Sequence, residues 1–203
     1  MSIELPSRGI VLLYGSGGAG KTTLATHLIK DVAKRGERCL YAYSGKLSPL
    51  LVRELFEAVP PISLFKLRNY EEQHLLVRSL YRCKGAGHKL LVFDTFTELY
   101  RVFIAESSDP LRAGKMLNQQ LAMLADLASK EALVFLTSRV RSLNDDLEPE
   151  ASSLISYWAD MVLRLDKLGK PGWRRLVVEK AKAPAASKLE GLVIEVSPWS
   201  RVA

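Results

Sequence analysis

The chain has 203 residues, 48% apolar and 25% charged, with a mean hydropathy of +0.04, which fits one compact globular domain and excludes a disordered tail. No apolar run approaches the roughly 18 residues of a membrane-spanning helix, so no span is expected, and the N-terminus lacks the basic start and apolar stretch of a secretory signal, so the expected compartment is the cytoplasm. The balance of 29 Lys and Arg against 22 Asp and Glu gives +7, and most of the excess falls after Met161; such a patch attracts phosphate in nucleic acid or nucleotide, or is simply a solvated face.

In chain order, the short apolar runs Ile10 to Tyr14, Cys39 to Tyr43, Leu90 to Phe93, Leu133 to Leu136 and Met161 to Leu165 read as buried strands. Segments of helical period separate them. Leu24, Leu28 and Val32 share one face of the first helix, and Leu117, Leu121, Leu124 and Ala128 share one face of the longest. After the fifth strand the spacing shortens: Arg175 to Glu179 and Leu192 to Val196 read as strands with no room for a long helix between them. The turn Gly169-Lys170-Pro171-Gly172 and the small-residue loop Ala183 to Ala186 flank the first of these, so an antiparallel edge is expected. The fold class is α/β, a mostly parallel twisted sheet flanked by helices in a single domain over residues 1–203.

The stretch Gly15-Ser16-Gly17-Gly18-Ala19-Gly20-Lys21-Thr22-Thr23 satisfies GxxxxGK[ST] between a predicted strand and a predicted helix. Glycines let backbone N–H groups turn inward around phosphate oxygens, and the helix N-terminus adds its dipole. Lys21 would reach the outer phosphates, and the Thr22 hydroxyl would ligand Mg²⁺. Asp94, ending the run Leu90-Leu91-Val92-Phe93-Asp94, is the second acid-bearing half of such a site, placed to hold a water on the metal. ATP and Mg²⁺ are therefore the expected ligands. Cys39 and Cys83 form no CxxC pair and the chain has three histidines, so a zinc site is not expected.

With these residues in place the chain resembles the RecA/RadA recombinases, and within them the short archaeal RadB-like paralogues. Besides the phosphate loop, the resemblance rests on Leu47-Ser48-Pro49 after the second strand, Tyr70-Glu71-Glu72-Gln73 opening a helix, and the acid-strand stretch from Asp94 to Arg101. Tyr157-Trp158-Ala159-Asp160 and the late segment Val178 to Pro184 add to it. The resemblance implies a RecA-like ATPase core acting as an accessory or regulator of homologous recombination and DNA repair, with a recombinase or another repair protein as partner. It also implies that Lys180 and Lys182 sense the phosphate of a neighbouring subunit, or else form one exposed face of an edge strand. Arg53 matches a position that packs on adenine, with a helix-face salt bridge as its other reading.

The departures from the family pattern matter as much. Where the family carries a catalytic Glu past the second strand, this chain has Gly45; where it presents a polar γ-phosphate sensor after the fourth strand, it has Arg139. Arginine stabilises charge but accepts no proton, so ATP binding with slow hydrolysis is expected, Lys21, Asp94 and Arg139 being the catalytic candidates. Glu98 is the nearest downstream acid that could replace the base, against the reading of a solvated helix-end residue. The second DNA-binding loop of the family corresponds to Ser142 to Ser153, which holds Asp145, Asp146, Glu148 and Glu150 and no basic residue. Four carboxylates repel a phosphate backbone, so DNA binding should be weak, with Arg101, Arg112, Arg139 and Arg141 left for phosphate contacts. Only nine residues precede the first strand, so neither an N-terminal DNA-binding domain nor self-polymerisation is expected. His27, His74 and His88 read as structural or exposed, and Trp173 as the base-stacking candidate beside the core or edge aromatics Trp158 and Trp199. Two rival functions remain, a non-hydrolysing ATP-binding interaction module and a P-loop kinase, which would need a lid carrying several arginines.

Overall fold

The computed structural model describes residues 5–57, 62–107, 109–130, 132–143, 146–182 and 191–195. Strand β1 (Gly9–Tyr14) runs into the glycine loop and helix α1 (Lys21–Ala33). Then follow β2 (Cys39–Ser44), α2 (Pro49–Phe56), β3 (Ser63–Leu67), α3 (Tyr70–Arg82), β4 (Leu90–Asp94), α4 (Phe96–Glu106), α5 (Pro110–Lys130) and β5 (Leu133–Ser138). The chain continues through β6 (Val140–Leu143), β7 (Asp146–Pro149), α6 (Ser152–Trp158), β8 (Met161–Lys167), β9 (Trp173–Ala181) and β10 (Val193–Glu195). Local chemistry sets several helix starts. The Ser48 hydroxyl accepts from the Leu51 N–H, with Pro49 opening α2. Asn69 Oδ1 accepts from the Glu72 N–H while Glu72 reaches back to the Arg68 N–H, a reciprocal cap on α3.

Among the described residues, eight strands form one sheet in the order β10-β9-β8-β1-β5-β4-β2-β3. The pairs from β8 to β3 are parallel, whereas β9 pairs antiparallel with both β8 and β10. The central strands are buried on both faces, which is why they are apolar up to their carboxyl ends, where Asp94, Thr137 and Ser138 are polar. Val11, Leu13, Tyr41, Val92 and Phe135 pack with α1 and Leu55 of α2 on one face. Leu12, Leu40, Phe93 and Leu136 pack on the other face with α3, α4, α5 and Ile155 of α6. With β1 between β8 and β5, the loop after β1 emerges at the carboxyl ends of the parallel strands, where α/β sheets bind ligands.

The antiparallel edge and the apolar face of α5 match the sequence pattern. The first helix differs. Its fully buried residues are Ala25, Thr26, Ile29 and Ala33, while Leu24, Leu28 and Val32 only flank the core. Small residues face the sheet because α1 lies close against it. Strand β3 has no counterpart in the sequence reading: its pattern is half exposed, with Phe65 43% accessible, so it carries none of the apolar continuity of a central strand. Instead of an open loop, β6 and β7 pair as an antiparallel hairpin ahead of α6. The Ala183 to Ala186 loop, Asp145, Val196 and Trp199 lie outside the described residues.

Both cysteines are free. Cys39 is buried in β2 and burial pushes its thiol up to about 12, while Cys83 is exposed at the end of α3. No helix among the described residues is long and apolar enough to cross a membrane.

Candidate functional site

The glycine loop closes one side of a cleft of about 690 Å³ lined by Gly15, Gly17, Gly18, Gly20, Lys21, Thr22, Thr23, Thr95, Arg139, Val140 and Arg174. That volume lies in the range of small-molecule sites. Gly15 is required by close approach: a Cβ there would lie 2.5 Å from the Leu165 carbonyl oxygen of β8. Gly20 caps α1 in the left-handed region at φ 101°, the conformation that turns the chain from loop into helix. Ala19 points its methyl into the core and Ser16 completes the loop.

Lys21 Nζ donates to the carbonyls of Gly15 at 2.7 Å and Ser16 at 3.1 Å, so its ammonium lies across the loop. Burial pulls Lys21 below its ordinary value, Asp94 opposes this, and the Arg139 and Lys167 cations add to it. The cations around Lys21 outnumber the one carboxylate that acts on it, Asp94, and such an excess of positive charge suits a polyanion.

Asp94 is 5% exposed beneath the cleft. The Tyr41 hydroxyl donates to its Oδ2 at 2.8 Å and the Thr137 hydroxyl to its Oδ1 at 2.6 Å. Burial pushes the Tyr41 phenol well above its ordinary value, and the Asp94 charge adds to this, so it stays a donor. Ser44 Oγ at the end of β2 donates to the Thr95 carbonyl and accepts from the Thr95 N–H, tying the two strand ends together. Sequence reasoning missed Tyr41 and Thr137 as orienters of this acid. Their signal is register: β4 lies between β2 and β5, so the three side chains share one face.

The described residues include no group of three His, Cys, Asp or Glu able to hold a metal. The donor set instead fits a cation arriving with phosphates, held by the Thr22 hydroxyl and, through water, by an Asp94 whose oxygens each take one hydroxyl bond and keep a further lone pair.

Arg139 does line the cleft, but its Nε is ion-paired with Glu98 Oε2. Glu98 is therefore not a solvated helix-end residue; its side chain is 19% exposed, and Arg101 lies 3.4 Å from its other oxygen. Arg101 also approaches Glu150 at 3.4 Å. Burial raises the Glu150 carboxyl despite Arg101. Two arginines expected to touch a nucleic-acid backbone thus spend their charge on carboxylates. Arg112 lies in the first turn of α5, its N–H bonded to Asp109 Oδ1 at 3.0 Å.

Gly45 brings no carboxylate, and a Cβ there would meet nothing within 4 Å. Arg53 is not among the lining residues and pairs with Glu57 one turn on. Lys180 and Lys182 stand at the other end of β8 from the loop. Lys180 Nζ donates to the carbonyls of Ser156 at 2.5 Å and Ala159 at 2.7 Å, closing the C-terminus of α6, and Lys182 donates to Asp160 Oδ1 at 2.9 Å. Neither reaches the loop of its own chain. Burial would raise the Asp160 carboxyl, but the Ile10 N–H and Lys182 bring it below its ordinary value.

The ring of Trp173 is covered by Lys170 Nζ, 4.6 Å from its centroid, and Trp158 Nε1 donates to Asn118 Oδ1. His88 bonds the Gly85 carbonyl and the Ser63 hydroxyl, a structural role, and burial lowers both His27 and His74. Two further residues, read in the sequence only as part of the basic excess after Met161, touch the loop: Lys167 Nζ donates to the Gly17 carbonyl at 2.6 Å, and Arg174 Nε to the Ala19 carbonyl at 2.7 Å.

No family model matches the chain. It is 28% identical over 176 residues to the DNA repair and recombination protein RadB of Thermococcus onnurineus, covering 83% of this chain and 77% of that one. The protein of the same name from Methanocaldococcus jannaschii is 24% identical over 196 residues, covering 93% of this chain and 92% of that one. The crystal structure of the RadB recombinase matches with a TM-score of 0.65 at 28% identity, covering 91% of this chain and 84% of that one. Likeness in sequence and likeness in fold coincide over most of the chain, and both make it RadB-like, similar to these members of the RecA/RadA family.

Proposed function

We propose that this chain binds ATP with Mg²⁺ in the cleft, hydrolyses it slowly, and uses nucleotide occupancy as a switch in homologous recombination and DNA repair. The relatives are named DNA repair and recombination proteins, and the role carried over is that of an accessory whose partner is a recombinase or another repair protein.

The observation that carries the reading is the charge arrangement around the loop. Lys21, Arg139 and Arg174 line the cleft, Asp94 lies beneath it, and among the described lining residues there is no carboxylate. Phosphates would be held by the loop N–H groups, Lys21 and the α1 dipole. Thr22 and Asp94 would form the protein side of the shell of a bound Mg²⁺, which would supply neutralisation of phosphate charge. Attack by water also needs a proton acceptor placed over the outer phosphate. Gly45 supplies none, and Glu98 is engaged by two arginines. Holding without fast cutting follows.

A switch needs only different affinities for ATP and ADP in two conformations. Arg139 at the rim is the group positioned to read the difference, because its carbonyl accepts from the Glu150 N–H across the base of the β6–β7 hairpin. DNA binding, with Arg101 committed to carboxylates, is weak and salt-sensitive in this reading.

Calorimetry with Mg²⁺ and ATP, followed by single-turnover hydrolysis, tests the proposal. Binding with slow, Lys21-dependent release of phosphate supports it. Absence of any heat ends it, and brisk turnover that disappears in Glu98→Gln ends the claim of slow cutting. The Arg139–Glu98 pair favours one second reading, a non-hydrolysing binding module, for which the same assay would show ATP bound and no phosphate released.

A further inference from the structure

We infer that Lys167 and Arg174, presented by the β8–β9 hairpin, clamp the outer face of the phosphate loop and so position its N–H groups for a polyphosphate; this rests on reading the cleft as an ATP site. A loop that turns its N–H groups inward must turn its carbonyls outward, and those carbonyls need partners. Each one from Gly15 to Gly20 has a partner. Lys21 Nζ takes those of Gly15 and Ser16, Lys167 Nζ that of Gly17, Arg174 Nη2 that of Gly18 at 3.4 Å, and Arg174 Nε that of Ala19. The Gly20 carbonyl accepts from the Leu24 N–H of α1. Three of the six are held by residues about 150 positions away in the chain.

The register shows that this is not incidental surface charge. Lys167 and Arg174 are directly opposed partners across β8 and β9, and like charges facing each other across an antiparallel pair repel. Both nonetheless lean the same way, onto the loop. Arg174 is braced by a third bond, Nη1 to the Trp173 carbonyl, and the turn between the strands is closed by the Trp173 N–H on Lys170 O and the Leu168 N–H on Trp173 O. Leu165, two residues before Lys167, approaches Gly15 too closely for any side chain. The hairpin therefore holds the loop at its start and along its outer edge. When Lys21 turns to phosphate, the Lys167 and Arg174 bonds keep the loop in shape.

These are positioning residues, and two readouts test them. In nucleotide-free protein, ¹⁵N order parameters for Gly17, Gly18 and Ala19 should fall from about 0.85 in wild type to below about 0.6 in the Lys167→Met/Arg174→Met double variant, with β5 unchanged. In titrations, Arg174→Met should weaken ATP and ADP alike by about tenfold, and exposed Lys167→Met by about threefold. Lys167→Gln, which keeps a donor without the charge, should recover most of the Lys167→Met loss. Order parameters unchanged in the double variant overturn the clamp. So does equal loss in the Gln and Met variants at Lys167, which would leave charge alone as the cause. If wild-type protein binds no ATP, the ATP reading fails, while the nucleotide-free relaxation still decides the clamp.

Discussion

The wall of the cleft built by β4 and β5 and the wall built by β8 and β9 both carry cations, yet they use them differently. On the first, charge is cancelled. Arg139 meets Glu98, Arg101 lies between Glu98 and Glu150, and Asp94 is sunk under two hydroxyl donors. On the second, Lys167 and Arg174 bond backbone carbonyls of the loop and keep their full charge beside the phosphate position. The difference teaches that holding a polyanion and moving a proton call on different groups. Carbonyls and cations suffice for the first, while the second needs a carboxylate free to accept, and here the carboxylates near the rim are already paired.

The largest effect that would break this contrast is on the loop itself. Lys21→Ala should weaken ATP binding by roughly 100-fold or more, since it removes the charged donor that lies across the loop between the two walls; calorimetry reads it. Next, Asp94→Ala strands the buried hydroxyls of Tyr41 and Thr137 and should destabilise the fold by about 2 kcal/mol, seen in chemical denaturation, while also removing the Mg²⁺ dependence of ATP affinity. If stability is unchanged, those hydroxyls are not committed to the acid. Arg139→Ala should reduce the preference for ATP over ADP by about tenfold without accelerating single-turnover hydrolysis. A faster reaction would mean that freed Glu98 is a competent base, and the first wall would be a latch on catalysis instead of a neutral face.

The smallest effect concerns the far end of β8. The Asp160 carboxyl is depressed in the folded protein, so its contribution is present above the ordinary aspartate value of about 3.9 and is lost as pH falls below that, through the folded value. Wild-type protein should therefore lose more stability than Asp160→Asn between about pH 5 and pH 2.5 in parallel denaturation curves. Identical slopes would show that the Ile10 and Lys182 contacts do not favour the charged form.

How much of this was legible in the sequence depends on how far apart the cooperating residues are. Gly15 to Thr23 is one contiguous stretch whose spacing is dictated by backbone turning around phosphate, and Asp94 ends an unbroken apolar run, so both could be read directly. Tyr41 and Thr137 become visible as its orienters only once β4 is known to lie between β2 and β5. Lys167 and Arg174 look like part of a generic basic excess until the antiparallel return of β9 pairs them and aims them at residues near position 18. The misread face of α1 has a local cause: leucines are the larger hydrophobes, but a helix pressed against a sheet turns its small residues inward. Strand β3 escaped because an edge strand with an exposed Phe65 has no apolar continuity to notice.

The unequal situations of the two cysteines have a practical consequence. Only a thiolate attacks a maleimide, and the Cys39 thiol is both covered and held far from ionising at neutral pH, whereas Cys83 is open at the end of α3. A dye added to unmodified protein should attach at a single point, ahead of β4 and at the opposite end of the sheet from the glycine loop. That would give a reporter of assembly that leaves nucleotide entry undisturbed and needs no engineered residue.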